Sequence, residues 1–232
     1  MPRLFHVLSI FSLTLAGLCA AWITVDVFRR PQHMAVMNVV WPVTALYFGP
    51  VAVWAYLRFG RPQSHAAMQE KQKAGNQQKK DESLHWNQVA VATSHCGAGC
   101  TIADIVTEFT LFALSATLFG SELWAKFVWD LAAAWLVGIV FQYFSIKPMR
   151  NLSVGEGIVA AIKADTFSIL AFQVGMYGWM AFVYFVLFPQ SHLKAVQPEY
   201  WAMMQIGMIC GFFTSYPMNW WLVQSGLKEK MG

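Results

Sequence analysis

Charge is what this sequence has least of. Only 12% of its 232 residues are Asp, Glu, Lys or Arg, against 57% hydrophobic residues and a mean hydropathy of +0.44. Soluble domains carry roughly a quarter charged residues, so a soluble globular fold is excluded. No glycine-rich phosphate loop follows a strand pattern, and there is no serine nucleophile elbow or paired-histidine zinc-protease motif. Nucleotide-driven pumping and the common hydrolase chemistries go with them. Of the histidines only His6 and His95 lie in or beside apolar runs, too few for a two-histidine haem inside a bundle. Cysteine is limited to Cys19, Cys96, Cys100 and Cys210, which do not make a secreted disulfide framework. The net charge of +4 sits between apolar runs, so it bears on topology and implies no nucleic-acid partner.

What the chain has is long apolar windows. Several stretches of about 20 residues carry almost no charge, the length that crosses a hydrocarbon core about 30 Å thick. They predict an all-α, polytopic transmembrane helix bundle of about six spans, over residues 4–27, 37–57, 87–118, 122–144, 165–188 and 200–223. The first could be a cleaved signal peptide but is longer than a signal core, so residues 1–33 are read as a retained span. Its His6 and Asp26 are read as interfacial. Residues 34–232 form the bundle, with a basic cytoplasmic loop at about 58–85 whose His65 and His85 are read as solvated. Trp41-Pro42 and Gly49-Pro50 predict two kinks in the second span. The third run is 32 residues, about 48 Å as one helix, so it either projects from the membrane or breaks near Gly97 and Gly99. Ser153 and Glu156 predict a capping box before the fifth span. Six crossings put twelve Lys and Arg on one side and four on the other, which predicts that both termini are cytoplasmic.

Within the third run, Cys96, Cys100, Asp104 and Glu108 recur every four residues, one polar stripe on a helix. His95, Cys96 and Cys100 are the candidate metal ligands, because thiols with an imidazole select soft cations such as monovalent copper. Asp104, Glu108 and, on the fifth span, Asp165 are candidate relays for a cation or proton, and Asp130, read as interfacial, ranks behind them. Met176, Met204 and Met208 offer secondary soft ligands, although methionine stripes are more often packing filler. The wound fifth span groups Asp165, Ser168, Gln173, Met176 and Met180; the sixth groups Met204, Met208, Gly211, Ser215, Met218 and Asn219.

Ser94-His95-Cys96-Gly97-Ala98-Gly99-Cys100 with Asp104 resembles the bacterial membrane-protein family catalogued as domain of unknown function 4396. So do Trp41-Pro42 with Leu46 to Pro50, Ile162 to Thr166, Met203 to Met208 and the ending Tyr216 to Trp221. The resemblance implies a polytopic fold in a bacterial inner membrane with a cysteine-containing site, and carries no reaction with it. The expected function is membrane metal handling, the transport or delivery of a soft cation, with copper or a similar ion bound and neither nucleotide nor haem. Expected partners are the lipid bilayer and the metal ion, with a metallochaperone, a larger membrane complex or further copies of the chain as open possibilities. Two alternatives stand beside it: a membrane thiol oxidoreductase using Cys96 and Cys100, and a non-catalytic accessory or assembly subunit whose polar stripes hold helices together.

Overall fold

The computed structural model describes residues 3–32, 34–61, 85–115, 117–150 and 153–228, and among these there is no strand, only an isolated bridge between Leu118 and Ser121. His65 and most of the basic loop lie outside the described residues. The helices are α1 (Arg3–Arg29), α2 (Met37–Phe48), α3 (Pro50–Ala55) with a π-helical turn at Tyr56–Gly60, α4 (Trp86–Leu114), α5 (Glu122–Arg150), α6 (Val154–Phe182) continued by a π-helical turn at Val183–Leu187, and α7 (Pro198–Gln224). Among the described residues four helices are long and apolar enough to cross a membrane: α1, α4, α5 over Glu122–Ile146, and α6 with its extension. The capping box at the start of α6 is present, with the Glu156 amide 3.5 Å from Ser153 Oγ and the Ser153 amide 3.2 Å from Glu156 Oε2.

Side-chain hydrogen bonds fix the helix directions. His6 Nδ1 meets Glu199 Oε1 at 2.7 Å and Ser12 donates to Gln205 at 2.8 Å, so α1 and α7 run parallel. Tyr216 donates to the Trp86 carbonyl and Thr101 to the Met208 sulfur, so α4 runs against α7. The pairs His95–Ser145 and Glu108–Lys126 set α5 against α4. Trp135–Thr166 and Tyr177–Phe127 set α6 against α5, and Trp179–Met203 with Ser168–Asn219 set α7 against α6. The two chain ends therefore lie at opposite ends of the bundle, with His6 beside the start of α7 and Lys228 beyond its finish.

The segment 37–60 is not the single continuous span expected from the sequence; it turns back on itself. Gly49 takes φ 54° and ψ −126°, a conformation that L side chains rarely adopt, and Pro50 opens α3 in the opposite sense. The Trp41 and Tyr56 rings then lie 5.5 Å apart, and a Cβ on Gly60 would land on the Trp41 indole. A continuous helix would separate residues 41 and 56 by about 22 Å. The segment is a re-entrant hairpin. Its far end is clamped to the end of α1, where Asp26 accepts from Arg61 Nη2 at 2.8 Å, Arg61 Nε at 3.0 Å and the Tyr56 hydroxyl at 2.9 Å. The same bond holds the Arg61 guanidinium above its ordinary pKa. Because a Cβ at Gly49 would meet no neighbour within 4 Å, Gly49→Ala tests backbone strain alone. It is expected to cost about 1–3 kcal/mol in detergent unfolding, whereas Gly17→Ala, with equal free space inside α1, costs nothing.

Of the two courses open to the third run, projection or a break near Gly97 and Gly99, the break is absent. α4 passes through the His-Cys motif as one helix. Each interior glycine weakens a helix by about 1 kcal/mol relative to alanine, and here the missing side chains let neighbours approach. A Cβ on Gly97 would lie 2.7 Å from the Tyr47 hydroxyl, and one on Gly99 would lie 3.6 Å from the Gly138 Cα.

Candidate functional site

The re-entrant hairpin carries Tyr47, next to its tip, against the motif on α4. Tyr47, Cys96, Cys100, Phe172 and Met176 share one buried cluster, and the Tyr47 hydroxyl has no hydrogen-bond partner. Cys96 and Cys100 are 1% and 0% exposed free thiols, so exchange with an outside thiol requires the bundle to open. His95 is fully buried. Its Nε2 lies 2.9 Å from Ser145 Oγ, which donates to the Phe141 carbonyl at 3.1 Å. When that hydroxyl proton goes to Phe141, Nε2 is the donor and Nδ1 keeps its lone pair, the tautomer a metal-binding imidazole needs. Nδ1 has no partner.

Beyond Cys100 the stripe becomes acidic. Asp104 is fully buried and neither carboxyl oxygen has a hydrogen-bond partner. The Gln173 amide on α6 is the polar group that faces it. One turn on, Glu108 Oε2 lies 2.6 Å from Lys126 Nζ, a lysine that also donates to the Tyr200 hydroxyl at 3.2 Å and stands over that ring. Asp130, the second-rank candidate, is 2% exposed with Oδ1 unpartnered and so reaches inward. Being one turn from Lys126, it follows that lysine into the interior instead of the aromatic Trp129 beside it.

A cavity of about 580 Å³ opens onto this group at the end of the bundle where α7 begins, and Glu108, Lys126, Asp130, Tyr177, Tyr200, Met176, Met180, Met204 and His192 line it. A second, mostly apolar cavity of about 300 Å³ is lined by Tyr47, Thr101, Met204, Gln205 and Met208. Met208 sulfur accepts a hydrogen bond from Thr101 at 3.6 Å, so it is turned onto α4.

At the opposite end, Asp165 is paired with Lys228. Both side chains are 0% exposed and Nζ lies 3.0 Å from Oδ1. Lys228, read from sequence as a terminal topological charge, is thus an interior residue. Asp165 stands across Gly138 from Gly99, since a Cβ on Gly138 would lie 2.7 Å from Asp165 Oδ2 and run into Ile169. Gly138→Ala is expected to destabilise the protein by about 1–3 kcal/mol through overpacking, read as a lowered midpoint of thermal unfolding.

The predicted residues are thus brought into one column in part. Asp104 and Glu108 join Asp130, and Met176 and Met204 join the same cavity. His95, Cys96 and Cys100 lie along consecutive turns, and among the described residues no three His, Cys, Asp or Glu side chains converge as a formed metal site. Sequence reasoning missed Lys126, Lys228, Ser145 and Tyr47 as members. Lys126 left a signal, one turn before Asp130 inside an apolar run; the others left none.

The family match extends over residues 85–228, under the description domain of unknown function, DUF4396. The chain belongs to the DUF4396 family. The match spans α4 to the end of α7 and so contains the whole acidic and thiol column, while α1 and the hairpin, with the Trp41 to Pro50 stretch expected to belong to it, lie outside. No curated protein and no solved structure matches the chain.

Proposed function

We propose that this DUF4396 protein carries a soft cation through a bacterial inner membrane along the column from the large cavity to His95. The observation that supports it is an imbalance of charge. Among the described residues Lys126 is paired with Glu108, while Asp104 and Asp130 beside it have no ion-pair partner. A carboxylate buried without compensation costs several kcal/mol, so the unmatched groups hold a proton or take a cation. Structural helix glue would be satisfied within the protein. The Met176, Met180 and Met204 thioethers at the cavity, the Cys96 and Cys100 thiols and the open Nδ1 of His95 form a soft series past the carboxylates, strong enough to bind and divided enough to release. The cargo, monovalent copper or an ion like it, needs only two or three of these ligands at a time, and the carboxylates exchange it against protons.

The topology we assign has five crossings and one hairpin that dips in and returns. Eight of the basic residues described, Arg29, Arg30, Arg58, Arg61, Lys147, Arg150, Lys163 and Lys228, then belong to one face, and three, Arg3, Lys126 and Lys194, to the other. By the positive-inside rule the carboxyl terminus is cytoplasmic and the cavity faces outward. The thiols lie toward the reducing side, where a soluble metal carrier would meet them.

The test is cation binding by purified protein loaded with monovalent copper under reducing conditions, alongside Cys96→Ser/Cys100→Ser. Native protein is expected to retain a stoichiometric ion and the variant to lose it, with vesicle uptake falling in parallel. Equal metal content in the two proteins would remove the soft-cation reading.

A further inference from the structure

The Lys228–Asp165 pair takes no part in the carriage described above, and its geometry is unlike a structural bridge. After α7 the chain reverses at Gly226, φ 72°, and the Leu227 and Lys228 amides both donate to the Leu222 carbonyl at 3.1 Å. Ser225, Gly226 and Leu227 are exposed, but the Lys228 side chain runs inward to full burial. Its ammonium meets Asp165 Oδ1 at 3.0 Å and Ser168 Oγ at 3.4 Å. Ser168 in turn donates to Asn219 Oδ1 at 3.0 Å, while Asn219 Nδ2 is held by Ser215, so these oxygens are positioned before any ligand arrives. Asp165 Oδ2 is buried and has no partner. A carboxylate and a hydroxyl oxygen held ready with one carboxylate oxygen spare suit a small cation, and the one present is carried on a short exposed turn.

We propose that Asp165 and Ser168 form a second monovalent-cation site at the end of the column opposite the cavity, and that Lys228 is its tethered occupant, closing that end until the terminal turn releases. The proposal rests on the reading of the column as a cation path. It adds that one end is plugged by the protein's own ammonium while the other stands open, the arrangement that keeps a carrier from leaking.

Thiol reactivity reports closure without any need for cargo. In a Cys19→Ser/Cys210→Ser background, a water-soluble maleimide is expected to label Cys96 and Cys100 slowly. Lys228→Gln is expected to accelerate labelling by about tenfold, since protection then depends only on the local opening equilibrium. Lys228→Arg is expected to stay slow. Ethylammonium at millimolar concentration, refilling the cradle, is expected to slow Lys228→Gln again and to leave the native protein unaffected. Labelling of Lys228→Gln at the native rate overturns the proposal, and so does acceleration that ethylammonium fails to reverse, because that marks a loosened fold instead of an emptied site. Should labelling behave as expected while vesicles take up no metal, the carriage reading falls and the plugged site remains.

Discussion

Asp104→Asn is expected to reduce cation uptake into vesicles to the level of protein-free controls while leaving expression and thermal unfolding close to native. Both its oxygens are buried with no closed hydrogen bond, and the group facing them is the neutral Gln173 amide, so Asp104→Asn removes a charge and a titrating proton while keeping the side chain's shape. A residue kept at a cost to the fold is the mark of a functional carboxyl in a bundle. Asp104→Leu separates the two roles further. It is expected to raise stability by about 1–3 kcal/mol, the penalty of an unsatisfied buried polar group, and to be equally inactive. Retained uptake in Asp104→Asn would mean that the column is not the path.

The largest effect on stability is expected at Lys126. Its ammonium is the sole positive partner given to Glu108 among the described residues, and Glu108 is 1% exposed. Lys126→Met leaves that carboxylate buried and uncompensated, which costs about 3–5 kcal/mol when one member of a buried pair is removed. The double change Lys126→Met/Glu108→Met is expected to recover most of this loss, because two apolar side chains of similar volume replace the pair. Chemical unfolding in detergent reads both. A double variant no more stable than Lys126→Met would show that the lysine acts through packing on Tyr200 and not through charge.

Much of the site was legible because helical periodicity is a local property. Cys96, Cys100, Asp104 and Glu108 had to share a face once the segment was helical, and all four are buried on α4. The stripe Asp165, Ser168, Gln173, Met176 and Met180 followed from the same winding and is buried on α6. The sixth-span stripe held except at Met218, which is partly exposed. What periodicity does not carry is which helix faces which. Asp130 was placed at the interface by its neighbour Trp129, yet it turns inward to the group around Lys126, and Met208 drops out of the methionine series because Thr101 on another helix claims its sulfur.

The sequence by itself determined that the chain is an all-helical, membrane-compatible protein and which residues line each helix face, since hydropathy and the 3.6-residue repeat act over a single segment. Only the tertiary structure decided that residues 37–60 turn back at Gly49, which brings the end of α1, with Arg29 and Arg30, to the same end of the bundle as Arg58 and Arg61. A proline and a glycine signal a kink or a reversal equally well. The choice was made by Trp41 against Tyr56 and by Asp26 against Arg61, contacts between residues 15 and 35 positions apart that no local pattern encodes.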